Sequence, residues 1–431
     1  MEMIFVILIG ALAAVLANMN IAVFNDGLRP IVSEHLEGRL KRRELGLTAF
    51  AMSFGLVVGF GIPFTITASI ILIHSILLGT DIIGLITPKN KWGTPVAAVI
   101  GGLYSWGLLI GLEGFVKLFE HLPVNFLEPM GEVGTPVVVT FMAFPALAVA
   151  LQFSLKKGIL TFLVAALVRQ LAVFLNESGL FVIGENVITL NQEGMALIAG
   201  MIFLFSFAMK EKTNEDDATV DLASIFSDKV SAIKKNVVFF MLIGALIAGA
   251  TNLLLMAGDP ISLNLLAEGK QTDAGIAAAA RAIGFIPLVA STAIATGVYS
   301  PVGFTLIFVA GLFSPNVWIA VLAGAIVIFL EVMLLSSIAK FLDKYPGVRN
   351  SGENIRSAMT KLLEVALLIG GANASNMIAP GFGFFFIAGF YLLNEAAGRP
   401  IVRMAVGPVG AIAVGVIANI LVLLGVMSIP Q

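Results

Sequence analysis

The sequence predicts an all-α polytopic membrane protein, made of two inverted-topology repeats with about ten transmembrane helices and two re-entrant helical hairpins. Three observations carry that prediction. Hydrophobic residues make up 58% of the 431 residues and charged residues only 12%, against the roughly 25% charged of a soluble domain. Apolar runs close to the ~20 residues that cross a ~30 Å hydrocarbon core recur along the whole chain. Two further runs, 46–78 and 282–312, are too long for one span and too short for two.

Taken in order, the first run is 3–24, where Glu2 stands in place of the basic residues of a signal peptide, so it reads as a retained span. The first hairpin, 46–78, should break at Gly59-Phe60-Gly61-Ile62-Pro63, with Thr65, Thr67 and Ser69 following. Spans at 93–112, 136–155, 158–175 and 194–209 complete the first half. The segment 210–235 is the long polar linker, with a surface helix expected at Leu222–Ile233. A span at 236–258 then leads to the second hairpin, 282–312. Its middle holds Ser291, Thr292, Thr296, Gly297, Tyr299 and Ser300, and Pro301 should break the helix by removing a backbone donor. Spans at 317–339, 358–378, 380–395 and 404–427 finish the chain.

Basic loops stay cytoplasmic, and this layout puts all Lys and Arg in inner loops except Lys117, Arg169, Lys270 and Arg281. Both termini then face outward. Each half makes an odd number of crossings, so the halves must be inverted: 1–209 is the first repeat, 210–235 the cytoplasmic linker and 236–431 the second repeat. Glu44-Leu45-Gly46 precedes Gly55 at the spacing with which Asp273-Ala274-Gly275 precedes Gly284, at the entrance of each hairpin.

Most soluble chemistry lacks its residues. There is no cysteine, and therefore no disulfide, thiolate metal site or cysteine nucleophile. His35, His74 and His121 are far apart with no HExxH, and neither a GxSxG elbow nor a Walker A sequence occurs. No enzyme activity, cofactor, metal or nucleic-acid partner is expected. Broken backbone at membrane depth is tolerated inside protein or beside a water-filled cavity, and hairpin tips offer free helix ends to a solute. Thr65, Thr67, Ser291, Thr292, Thr296 and Ser300 are accordingly the expected substrate contacts, with capping of free backbone groups as the competing role. Ionisable residues within spans are costly and mark candidate sites: Glu331, Glu364, Arg169 and His74. Arg169 could instead snorkel or pair with Glu331, and Glu364 could serve its helix N-terminus. Asn252, Asn373 and Asn376 read as bonds between helices.

Three stretches carry a resemblance. They are Val23-Phe24-Asn25-Asp26-Gly27-Leu28-Arg29-Pro30, then Gly284-Phe285-Ile286-Pro287 through Ala295-Thr296-Gly297-Val298-Tyr299, and Tyr345-Pro346-Gly347-Val348-Arg349-Asn350 through Leu363-Glu364-Val365-Ala366. Together they resemble the YhfT family of bacterial inner-membrane proteins from end to end, which implies that compartment and a transporter. More distantly, the layout is similar to the membrane component of ascorbate- and galactitol-type phosphotransferase systems, which implies a homodimeric scaffold and an elevator motion. The function expected is secondary active transport of a small polar solute, sugar-like or zwitterionic, by alternating access. The alternative is a phosphotransferase-type membrane component served by separate phosphoryl-donor proteins; a third possibility is a receptor or scaffold that does not transport.

Overall fold

The computed structural model describes residues 2–133, 136, 140, 142–178, 182–183, 186–187, 192–211, 222–401 and 403–428. Part of the expected 136–155 span and the charged middle of the linker lie outside the described residues. The rest is helical apart from three very short extended pairings. Among the described residues, four helices are long and apolar enough to cross a membrane, at Gly93–Gly111, Leu155–Ser178, Val317–Phe341 and Arg403–Leu423. Two bent helix pairs would raise that to six. Three of the expected ten spans instead fold as apolar helices of 10–17 residues, Glu2–Asn18, Met195–Ala208 and Phe382–Ala396, below the ~20 that a span takes.

One bundle is assembled from α1 (Glu2–Asn18), α2 (Leu28–Leu36), α3 (Arg42–Leu56), α4 (Ile62–Ala68), α5 (Ile73–Ile86) and α6 (Gly93–Glu120) of the first half. After α7 (Leu127–Met130), the second bundle takes α8 (Phe144–Gln152), α9 (Leu155–Ser178) and α10 (Gln192–Ala208). The linker contributes α11 (Leu222–Lys234), on the stretch where a surface helix is expected. It buries Val230 and Ile233, while Lys229 Nζ donates to Glu37 (3.2 Å) and Lys234 Nζ to Ser336 Oγ (2.7 Å). The second half then adds α12 (Val237–Asn252), α13 (Pro260–Ala267), α14 (Gln271–Thr296), α15 (Leu306–Phe313) and α16 (Val317–Lys344) to the first bundle. Finally α17 (Pro346–Ile378), α18 (Phe382–Ala396) and α19 (Arg403–Leu423) pack with α8 and α10 in the second.

Packing in the first bundle follows one scheme twice. Helix α1 lies along α6 with Gly10 against Gly101, and α12 lies along α16 with Gly244 against Gly324; a Cβ on any of the four would meet the carbonyl of its partner. At the end of α1, Asn18 Nδ2 donates to the carbonyls of Gly84 (3.1 Å) and Thr87 (2.9 Å), closing the end of α5. At the end of α12, Asn252 Nδ2 donates to those of Gly311 (3.0 Å) and Ser314 (2.7 Å), closing the end of α15. The chain then turns through a left-handed residue in both places, Asn20 (φ 60°) and Leu254 (φ 59°). Asn90 and Asn316 each accept two backbone N–H bonds at the start of α6 and α16.

The two hairpins differ from the sequence expectation in one respect. The second breaks where Pro301 predicts it: α14 ends at Thr296 and the chain turns through 297–305 before α15. The first does not break at Gly59–Pro63. A π-helical turn over Val57–Gly61 joins α3 to α4, and Pro63 falls in the first turn of α4. The wider i→i+5 turn gives the proline ring room, so the helix bends instead of ending. The reversal comes later, at left-handed Ser69 (φ 54°). The tips do not pair with each other. Ile71-Leu72 pairs in parallel with Met256-Ala257, and Ala22 bridges to Tyr299. Each tip is thus pinned to the loop that follows the first helix of the other half.

Candidate functional site

Where the two bundles face each other there is a cavity of about 840 Å³, within the ~300–1,000 Å³ usual for small-molecule sites. Its walls come from the loop after α1, both hairpins, the 297–305 turn, the middle of α17 and the start of α19. Much of the lining is apolar, with Phe60, Leu78, Phe285, Leu288 and Met404 among it, and polar groups converge on it from both bundles.

The loop Phe24–Arg29 is built from its own sequence. Asn25 Oδ1 accepts from Gly27 N–H (3.0 Å), a tight Asx turn, and Asn25 Nδ2 donates to Ser53 Oγ (3.1 Å). Asp81, buried on α5, accepts the N–H groups of Phe24 (3.0 Å) and Asn25 (2.8 Å). Held this way, Asp26 pairs with Arg29, and the fully buried Arg29 donates through Nη1 to Thr292 Oγ1 on α14 (2.6 Å). One guanidinium therefore ties the first half to the second hairpin.

Opposite it, Arg281 on α14 is 7% exposed and lines the cavity. Its guanidinium lies 4.4 Å from the centre of the Phe285 ring. Among the described residues its Nε has no hydrogen-bond partner, and it makes no ion pair. The carboxylates whose charge it feels, Asp259 and Asp26, are engaged elsewhere: Asp259 caps α13 through Ser262 N (2.9 Å) and Ser262 Oγ (2.7 Å), and Asp26 holds Arg29. The second bundle supplies Lys361, Glu364 and Arg403. Glu364 stands 3.8 Å from Arg403, which also donates to Glu395 through Nε (2.8 Å) and Nη2 (2.8 Å).

Of the residues singled out in the sequence, His74, Ser300 and Glu364 line this cavity. His74 sits edge-on between the rings of Phe24 (4.9 Å) and Phe60 (5.1 Å). Thr292 stands one bond away, through Arg29. Thr65 and Thr296 are bound into the backbone. Thr65 Oγ1 donates to the Gly61 carbonyl (2.8 Å) and accepts from Leu72 N–H (3.0 Å), while Thr296 Oγ1 donates to the Thr292 carbonyl (2.6 Å). The side chains of Thr67 and Ser291 lie outside the described ones. Glu331 is buried behind the wall: Oε2 accepts from Phe304 N–H (2.8 Å) and Tyr299 Oη–H (3.3 Å), clamping the 297–305 turn. Glycine is required at Gly303 (φ 54°), because a Cβ there would collide with that carboxylate. Arg169 belongs to α9 and does not line the cavity, and no ion pair with Glu331 is found among the described residues.

Sequence reasoning missed Asp26, Arg29, Arg281, Lys361 and Arg403. Arg281 carried a signal, as a cation outside the inner loops amid small apolar residues. Asp26 and Arg29 carried another, the unusual Asn-Asp-Gly stretch. Among the described residues, no group of three or more His, Asp or Glu is placed to hold a metal ion.

Comparison with known proteins gives one consistent answer. The profile of the YhfT family, described as a protein of unknown function, matches residues 2–427. A protein of Escherichia coli (strain K12), described as "Uncharacterized protein YhfT", is 35% identical over 441 residues, covering 98% of each chain. No solved structure matches.

Proposed function

The chain belongs to the YhfT family, and from that premise we propose that it is a secondary active transporter of a small polar solute, working by alternating access in a bacterial inner membrane. The observation that carries the reading is the cavity between the bundles, lined from both halves, with the hairpin loops pinned crosswise to the other half. Two packed units meeting over a solute-sized cavity can exchange its opening between sides when one moves against the other. The recurrence of the Gly–Gly contacts, the Asn18 and Asn252 bonds and the left-handed turns supports two repeats of inverted topology, 1–209 and 236–431, about the 210–235 linker.

In this reading the hairpins and α16, with Glu331, move as one unit. Helix α17, which carries Glu364, packs in the other bundle and belongs to the facing unit. That unit also carries α9, whose outward face is a continuous apolar strip including Leu160, Phe162, Leu163, Leu167 and Leu171. Such a face suits lipid or the scaffold of a homodimer.

The absence of cysteine provides the test. A single cysteine at Ser300, in the cavity wall, should react with a small membrane-impermeant thiol reagent in both right-side-out and inside-out vesicles. Labelling from one side only, under every solute and gradient tried, would contradict alternating access at this cavity.

A further inference from the structure

We propose that the transported solute carries a carboxylate, and that Arg281 is its anchor; this rests on the transporter reading. An arginine that is nine-tenths buried normally has its charge matched by a carboxylate or its N–H groups matched by carbonyls. Arg281 has neither among the described residues, and it lines the cavity between the bundles. The nearby acids have other partners: Asp26 pairs with Arg29, Asp259 caps the start of α13, and Glu364 stands 3.8 Å from Arg403. Lys361, at the exposed end of the same cavity, is likewise without an ion-pair partner among the described residues. Two cations on the cavity wall, Arg281 and Lys361, therefore lack an ion-pair partner among the described residues, and a small anion would supply one.

Geometry favours a carboxylate. Phe285 covers one face of the guanidinium and leaves its edge as the route to hydrogen bonding. A planar fork of N–H donors matches a carboxylate in a bidentate pair, a fit that an ammonium cannot reproduce. Leu288, Val289 and Met404 would then contact the apolar body of the solute. An anchor of this kind is recognised by charge at one end and by shape at the other.

The test compares matched probes on the purified full-length protein in detergent: benzoate against benzamide, and succinate against succinamide, each titrated while the unfolding temperature is recorded. At least one carboxylate should raise that temperature saturably, and its amide should not. Arg281→Lys should weaken the response at least tenfold, and Arg281→Gln should abolish it. Equal responses to acid and amide, no response to either acid, or an undiminished response in Arg281→Gln would overturn the proposal. The acid–amide comparison uses the natural chain, so it stands even if a variant fails to fold. Carboxylate binding without two-sided labelling at Ser300 would leave the anion site intact and remove the transporter. Two-sided labelling with no preference for acids would do the reverse.

Discussion

Glu331 shows how one buried carboxylate can shape a cavity wall without lining the cavity. Its Oε2 receives two donors from the turn that forms the cavity wall, and Gly303 exists to let it approach. Replacing Glu331 with Ala would strand the Phe304 N–H and the Tyr299 hydroxyl in a buried site, a loss of about 2–3 kcal/mol. Glu331→Gln keeps a carbonyl acceptor in the same place and should stay within about 1 kcal/mol of the natural chain. Reversible unfolding of both variants in mixed micelles checks this; equal losses would mean that the charge, and not the clamp, is what matters. The sequence marks Glu331 as an acid inside an apolar helix, so its burial is legible. Its partners are not, because they lie 27 and 32 residues earlier in the chain and are brought there only by the fold. The hydroxyls illustrate the opposite case. Thr65 and Thr296 look like ligands in a linear reading, yet each lies within reach of unsatisfied backbone, and local bonding takes them first.

Element boundaries follow the same logic. The helix before Pro301 ends four residues short of the proline, where the chain turns through left-handed Gly297. Pro63 does not end one because a π turn precedes it and absorbs the missing donor. Nothing in Gly59-Phe60-Gly61 separates those outcomes, since two glycines suit a break and a widened turn equally. The asparagines at the ends of α1 and α12 are more readable. Asn252 is expected to bond between helices, and it closes the end of α15 as Asn18 closes that of α5. If the two sites are equivalent, Asn18→Ala and Asn252→Ala should each destabilise by about 1–3 kcal/mol, with the double variant near their sum. Unfolding measurements on the three variants test this, and a large effect at one site with none at the other would argue that the two junctions carry different loads.

At the scale of the molecule, composition and the spacing of apolar runs foretell a helical membrane protein, and among the described residues the chain folds as helices of which four to six are long and apolar enough to span a membrane. The division into two bundles is invisible to that reading, because it depends on which helices pack together and not on how apolar each is. Helices α16 and α17 adjoin in sequence and hold Glu331 and Glu364, yet they take opposite sides of the cavity. The central claim is that these bundles move against each other around the solute. Spin labels at Lys270→Cys in the first bundle and Ala397→Cys in the second, with distances recorded by double electron–electron resonance in lipid nanodiscs, measure that directly. The account predicts two distance populations whose ratio shifts with benzoate or succinate, while the pair Lys89→Cys and Lys270→Cys, both in the first bundle, keeps a single distance. One narrow, unchanging distance between the bundles in lipid would contradict it.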